Sequence, residues 1–365
     1  MPLDLAEMTL RLSYQKVMYD MNRKKVYIQA AEQISIQQPL SEQWFHDPIF
    51  YHADFVQAVN PSFREYIAAN EARRMGNLIK RALVTSLKVL HKTGIEHPDA
   101  IITGTCIGCM NCTEKFLQAL TENGEQTLSP THFMQSTHNT VGSTLGIYTK
   151  THSYNTTYSH GEISFDLTIL DAWMQIQLGK ISTALIGGHD EMIESYFKLL
   201  QKTGYVGIEG MDPCSEVAVS MMINTQAHEE DLCEIAGIRI CNHPTVDSFK
   251  ESIDALLHET GLHRDQLCAI MTGKNGNPTN DIQYQEIVDS IFPQIPLLHY
   301  KHIFGENYTA SALGTYTAAH CLKEGCVPSF LYDTDRKQQC ASLQNILLIH
   351  QTKGQEFSLI LLKKI

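Results

Sequence analysis

Apolar and polar positions alternate along the chain in two recurring rhythms, one of period two and one near 3.6. From Lys25, KVYIQAA reads as the first strand, and residues 1–24 before it as an N-terminal extension, a peripheral helix or frayed end, with Met21 offering an alternative start. ANEARRMGNLIKRALVTSLKVLHKTG, from Ala69, has the repeat of one long amphipathic helix stopped by Gly94, with His91 and Lys92 in its last turn. PDAIITGT and SYNTTYS read as strands. ISFDLTILDAWMQIQLGK is apolar around most of its circumference, which predicts a buried helix. ISTALIGG then closes a βαβ unit expected to be right-handed.

The same grammar restarts at Glu234. EIAGIRIC, LCAIMTG and IPLLHYK are expected strands, separated by the helical patterns SFKESIDALLHETG and DIQYQEIVDSIF. YTASALGTYTAAHCLKEG is a helix rich in small residues, and NILLIHQ with EFSLILLKK forms a hairpin around the turn Thr352–Gln355. No Pro/Ser linker divides these series, so halves of about 25–230 and 231–365 are expected to fuse into one internally duplicated α/β body.

Composition narrows the function classes. The 365 residues are 43% hydrophobic and 19% charged, with no run of eighteen uncharged apolar residues, so no membrane span is expected. The first 22 residues, acidic and irregularly apolar, do not resemble a signal peptide, and a cytoplasmic protein is the expectation. With 28 basic against 40 acidic residues the net charge is −12, which disfavours nucleic-acid binding through a general field. Arg73, Arg74, Lys80, Arg81, Lys88 and Lys92 read as a solvated helix face.

The 10 cysteines are expected to be reduced. Cys106, Cys109 and Cys112, in CIGCMNC, have the spacing of an iron–sulfur ligand run, but Thr113, Glu114 and Lys115 follow and the next cysteine is Cys214. They read as small residues in a packed βα corner, and no metal or other cofactor is expected. His132, His138 and His160 match no ligand spacing and read as structural.

The stretch THSYNTTYSHGEISFDLTILDAW, Thr151 to Trp173, looks built to present one side chain at a strand-to-helix turn. That side chain is Glu162, a poor nucleophile. The order strand, tight turn, buried helix, LGK, strand, GGHDE resembles the ketosynthases of the thiolase superfamily. Gly179, Gly187 and Gly188 fit their signature, with Asp190 in place of a Glu. IMTGKNGNPTND resembles their HGT-x-T loop, with Asp281 at its carboxylate, and HYKHIFGENYTASALG resembles the K-x-x-x-GH segment. The likeness runs from Lys25 to the C-terminus. It implies a five-layer αβαβα thiolase fold with two pseudo-duplicated halves, and a dimer along the strand beside the turn.

The departures fall on the chemistry. Counted back from Gly179, the ketosynthase cysteine position falls on Glu162; the two histidine positions fall on Gly273 and Glu306, and only the lysine is kept, as Lys301. HQTKGQEF stands where the family has a Gly-rich turn. Condensation needs a thiolate to carry the acyl group and two imidazoles to stabilise the enolate; Glu162, Gly273 and Glu306 supply neither. A carboxylate–lysine cluster is expected to plug the old pocket, Lys301 pairing with Glu162, Glu306 or both.

The chain therefore resembles the chain-length factors, degenerate ketosynthase relatives that pair with an active ketosynthase in type II polyketide and polyene systems. The resemblance implies an active ketosynthase subunit, or a second copy, as partner, and a carrier-protein-bound acyl chain in a pocket bounded by Ser129–Thr149. Three other readings stay open. Glu162 acts as an acid–base group, for instance in malonyl decarboxylation; the protein is a homodimeric scaffold without an acyl pocket; or the count is shifted and Cys106 or Cys109 is a true nucleophile.

Overall fold

The computed structural model describes residues 23–125, 128–333 and 342–365, so the 1–24 extension, apart from Arg23 and Lys24, lies outside the described residues. Among the described residues ten strands form: β1 (Tyr27–Ile34), β2 (Ala100–Gly104), β3 (Tyr154–Tyr158), β4 (Thr183–Asp190), β5 (Val217–Asn224), β6 (Cys233–Asn242), β7 (Ala269–Thr272), β8 (Leu297–His299), β9 (Asn345–Thr352) and β10 (Glu356–Lys363). They share one sheet in the order β3-β2-β4-β5-β1-β6-β10-β9-β7-β8.

That order is the same five-strand pattern used twice. Read inward from its own outer edge, each half runs third, second, fourth, fifth, first. Polarity repeats as well. β2 lies parallel to β3 and β4 as β7 does to β8 and β9, while β4–β5 and β5–β1 are antiparallel like β9–β10 and β10–β6. The halves meet edge to edge where β1 pairs with β6, Tyr27 with Glu234 and Ile28 with Cys233.

Helices complete the layers. Ser164–Gln177 and Ser311–Glu324 pack on each other and on strands of both halves, and their apolar faces build the largest core around Phe165, Ile169, Leu313 and Tyr316. Asn77–Thr93 covers the outer face of the first half, and Val246–Glu259 with Pro278–Ile291 that of the second. With the central helices between the two halves of the sheet, helix, half-sheet, central helices, half-sheet and helix make the five layers expected of the thiolase fold. Glycine permits the tight central packing: a Cβ on Gly104 would stand 2.6 Å from the Ser164 carbonyl oxygen, and one on Gly188 2.8 Å from the Ala312 Cβ.

Four sequence expectations need correction. The helix expected from Ala69 to Gly94 is two, Ala69–Ala72 and Asn77–Thr93, because Gly76 between them is extended (φ −62°, ψ 160°). The basic residues of that region are not one solvated face. Arg81 is buried with its Nη1 2.9 Å from Glu216, Lys88 and Lys92 converge on the buried Glu32, and Lys80 stands over the Phe63 ring. IPLLHYK is a strand only over Leu297–His299, since the chain turns into a short helix at Lys301–Phe304. Finally, the central helix Ser164–Gln177 is not buried all round: Met174 and, just past its end, Leu178 face outward.

Candidate functional site

The turn between β3 and the central helix closes on itself. Gly161 has φ 58°, a left-handed conformation that suits glycine. The Ser164 hydroxyl accepts from the His160 N–H (2.8 Å) and donates to the Gly161 carbonyl (2.6 Å). Glu162 is thereby held just ahead of the helix, where the positive end of the helix dipole favours a carboxylate by about 0.3–1 kcal/mol.

The other three positions singled out in the sequence come from the second half and converge on the same place. Lys301 Nζ lies 3.0 and 2.8 Å from the two carboxylate oxygens of Glu306, and Asn275 donates a further hydrogen bond to Glu306. Gly273 faces this pair: a Cβ there would stand 2.5 Å from the Tyr284 hydroxyl and 3.5 Å from Lys301 Nζ. Tyr284 thus fills the space that a side chain at 273 would need. Asp281, from the same loop, accepts from the Asn275 and Gly276 N–H groups at 2.9 and 3.0 Å and so fixes the loop's shape.

Of the pairings expected for Lys301, the one with Glu306 forms, and Glu162 takes another partner. It accepts a hydrogen bond from the Tyr205 hydroxyl at 2.6 Å, while Lys301 is spent on Glu306. The charges still act on each other. Burial and the nearby Glu306 raise the Glu162 carboxyl above its ordinary pKa, against the pull of Lys301 and Tyr205. Burial opposes the charge on Lys301, but Glu306 and Glu162 outweigh it and hold the amine above its ordinary value. Asp212, whose N–H donates to the Asn275 carbonyl (2.8 Å), is pushed up to about 7, by burial first and then by Glu306.

These groups do not plug the pocket. A cavity of about 270 Å³ remains beside them, lined by the polar groups of Glu162, Glu306, Tyr205 and Lys353, by the amides of Asn275, Asn277 and Gln283, and by apolar side chains such as Met192, Leu200 and Val206. The lysine satisfies one carboxylate, and Glu162 turns to a phenol at the cavity wall, so the space between is left open.

Asp190 stands at the end of β4 beneath the neighbouring turn. Its buried carboxylate accepts from the Thr105 hydroxyl (2.7 Å) and from the N–H groups of Cys106, Ile107 and Gly108 at 3.0, 2.9 and 3.1 Å. Cys106 lies close to Glu162, yet burial, Asp190 and Glu162 push its thiol up to about 12, which leaves almost no thiolate at neutral pH. Cys109 caps the helix Met110–Asn123 and faces Cys112 inside the corner.

His160 pairs with Glu356 (2.7 Å), His138 contacts the Cys106 carbonyl (3.0 Å) and His132 lies on the helix Pro130–Ser136. Among the described residues no three metal-ligating side chains come together. Sequence reasoning missed Tyr205, Asp212, Tyr284 and Lys353. Tyr205 lies in KTGYVG and Lys353 in a hairpin turn, loops without periodicity that could have pointed to the site.

The expected interface segment, Ser129–Thr149, forms the helices Pro130–Ser136 and Thr140–Tyr148 beside β3, which is an edge strand of the sheet. This side of the molecule carries large apolar side chains in the open: Ile147 is 80% exposed, Met134 67% and Leu178 66%, with Phe133, Met174 and Tyr154 also exposed.

No helix of the described residues is long and apolar enough to cross a membrane. Residues 42–269 match the family model described as beta-ketoacyl synthase, N-terminal domain. No curated protein matches the chain. Among solved structures, the chain is similar to the ishigamide ketosynthase/chain length factor, with TM-score 0.79 and 15% identity over 94% of this chain and 100% of the other. A beta-ketoacyl synthase from Burkholderia phymatum STM815 gives 0.77 and 13%, covering 94% and 100%. A ketosynthase (ApeO) in complex with its chain length factor (ApeC) from Xenorhabdus doucetiae gives 0.74 and 13%, covering 94% and 98%. At these identities the likeness establishes the fold alone.

Proposed function

The chain belongs to the beta-ketoacyl synthase family, and from that premise we propose that it is a non-condensing partner subunit of the chain-length-factor kind. It pairs with an active ketosynthase and helps to shape the space that receives a carrier-bound acyl chain. One observation carries the reading. Among the described residues, the cavity at the nucleophile turn is lined by no histidine, and its one thiol, Cys214, is pushed far up by burial and by Glu306. By the sequence correspondence, Glu162 takes the place of the thiolate, and Gly273 and the lysine-bound Glu306 take those of the two imidazoles. A carboxylate would carry an acyl group only as a labile anhydride, and Glu306 would repel an enolate.

The apolar edge around β3 supports pairing, because exposed patches of this kind mark interaction sites. Solved structures of this fold include ketosynthases bound to chain length factors and to acyl-carrier proteins. The test is co-expression with candidate ketosynthases. A stable one-to-one heterodimer is expected to copurify, and Ile147→Glu is expected to abolish it while changing the subunit's own stability by less than about 0.5 kcal/mol. A tight homodimer indifferent to every ketosynthase would overturn the proposal.

A second reading has its own observation. Glu162 opens on the cavity with a raised pKa, which suits an acid–base group. Carbon dioxide released from a malonyl carrier by the protein alone, and lost in Glu162→Ala, would favour it.

A further inference from the structure

CIGCMNC takes no part in the function just proposed, yet two of its sulfurs are placed for chemistry. Cys109 Sγ and Cys112 Sγ lie 3.1 Å apart, closer than sulfurs in ordinary contact and about 1 Å beyond a disulfide bond. Both belong to the start of the 14-residue helix Met110–Asn123, Cys109 as its N-cap and Cys112 one turn on, so the helix itself fixes their separation. Both side chains point to the same interior spot, since a Cβ on Gly76 would stand 2.8 Å from one sulfur and 3.1 Å from the other. Glycine at 76 leaves room for the pair and nothing larger.

The two sulfurs are unequal. The Cys109 thiol donates to Cys112, and Glu191 stands 3.5 Å from Cys109. That bond, burial and Glu191 raise Cys109, whereas at Cys112 the same donated bond, helped by Lys115, outweighs burial and Glu191 and lowers the thiol. One sulfur acts as proton donor to the other, as a thiol does toward a thiolate. The helix N-terminus favours negative charge at the same place.

We propose that Cys109 and Cys112 form a reversible dithiol/disulfide site whose oxidant is a low-molecular-weight disulfide. Cys112, as thiolate, attacks one sulfur of that disulfide, breaking its S–S bond and releasing the first thiolate. Cys109 loses its proton and attacks the mixed disulfide at Cys112, forming the internal S–S bond and releasing the second. Two electrons pass from the protein to the small disulfide; one released thiolate takes the Cys109 proton, and the other takes from solvent the proton that Cys112 gave up on ionising. Both sulfurs are buried, and Gln135 of the helix Pro130–Ser136 lies against Cys112 at 3.5 Å while bonding the Gly76 N–H and the Arg74 carbonyl. Exchange therefore waits on local opening of that helix and is slow. The site is separate from the cavity, and its behaviour does not depend on the function proposed above.

The test equilibrates the purified full-length protein in graded mixtures of reduced and oxidised glutathione, then alkylates it in denaturant and maps the peptides. At the oxidising end the expected result is loss of about nine-tenths of alkylation at Cys109 and Cys112, a mass about 2 Da lower, and full recovery with dithiothreitol. Cys112→Ala is expected to leave Cys109 alkylatable or capped by glutathione. Cys109 and Cys112 staying fully alkylatable in every mixture, or a linkage that maps to any other cysteine pair, would overturn the proposal. The wild-type measurement decides without relying on the variant's folding.

Discussion

Removing the ammonium of Lys301 isolates the central electrostatic claim. Its Nζ contacts both oxygens of Glu306 at 3.0 and 2.8 Å, with both side chains largely buried. At such a separation and an effective dielectric near 20, the gross attraction is roughly 5–6 kcal/mol, most of it offset by desolvation. Lys301→Met keeps the apolar stem but leaves Glu306 facing Glu162 and Asp212, both already raised by burial and by Glu306. Breaking one side of a buried pair costs about 3–5 kcal/mol.

The sign with pH follows from the same groups. Without the lysine's pull, Glu162 and Asp212, both already raised, move further above their unfolded values, so the folded state holds more protons than the unfolded one. Stability is then retained at low pH and lost as pH rises through the folded pKa values. Urea denaturation of Lys301→Met is therefore expected to show a deficit of about 3–5 kcal/mol at pH 8, shrinking by half or more at pH 5. The double variant Lys301→Met/Glu306→Leu should recover much of the loss, because both charges leave together. A deficit under about 1 kcal/mol, or one equal at the two pH values, would refute the reasoning.

Three further outcomes are expected. Asp190→Ala strands the Thr105 hydroxyl and the Cys106 and Ile107 N–H groups, while the Gly108 N–H keeps the Thr105 hydroxyl oxygen, so it should cost at least about 3 kcal/mol in urea denaturation, with no comparable loss for a neighbouring exposed carboxylate. His189 and His320 are held down to about 3 by burial, against an ordinary value of 6.5. Each therefore favours the fold above pH 6.5 and loses that contribution as pH falls toward 3, about 2 kcal/mol apiece by pH 5, readable as a falling urea midpoint. Tyr205→Phe removes the donor that favours ionised Glu162, so its cost of about 1–2 kcal/mol should appear at alkaline pH and fade once Glu162 is protonated.

The sequence by itself determined the elements, their repetition and the residues that would meet. Period-two runs from KVYIQAA onward and apolar helices such as ISFDLTILDAW report burial directly, because a strand or helix with one apolar face must cover it. Gly188 was legible as part of a family signature, but the close central packing it allows, like that at Gly104, was seen only in the fold. The absence of thiol and imidazole at Glu162, Gly273 and Glu306 was equally legible, since residue identity is chemistry. Partner choice was not legible. Whether Lys301 binds Glu162 or Glu306 depends on a reach of a few ångström between side chains from loops far apart in sequence, and the fold gave it Glu306 and left Glu162 to Tyr205. The open cavity has the same origin, because empty space is a property of packed surfaces and no residue encodes it. Likewise CIGCMNC fixed only a spacing; the helix cap, and the glycine at 76 packed against it, brought two of its three sulfurs into contact.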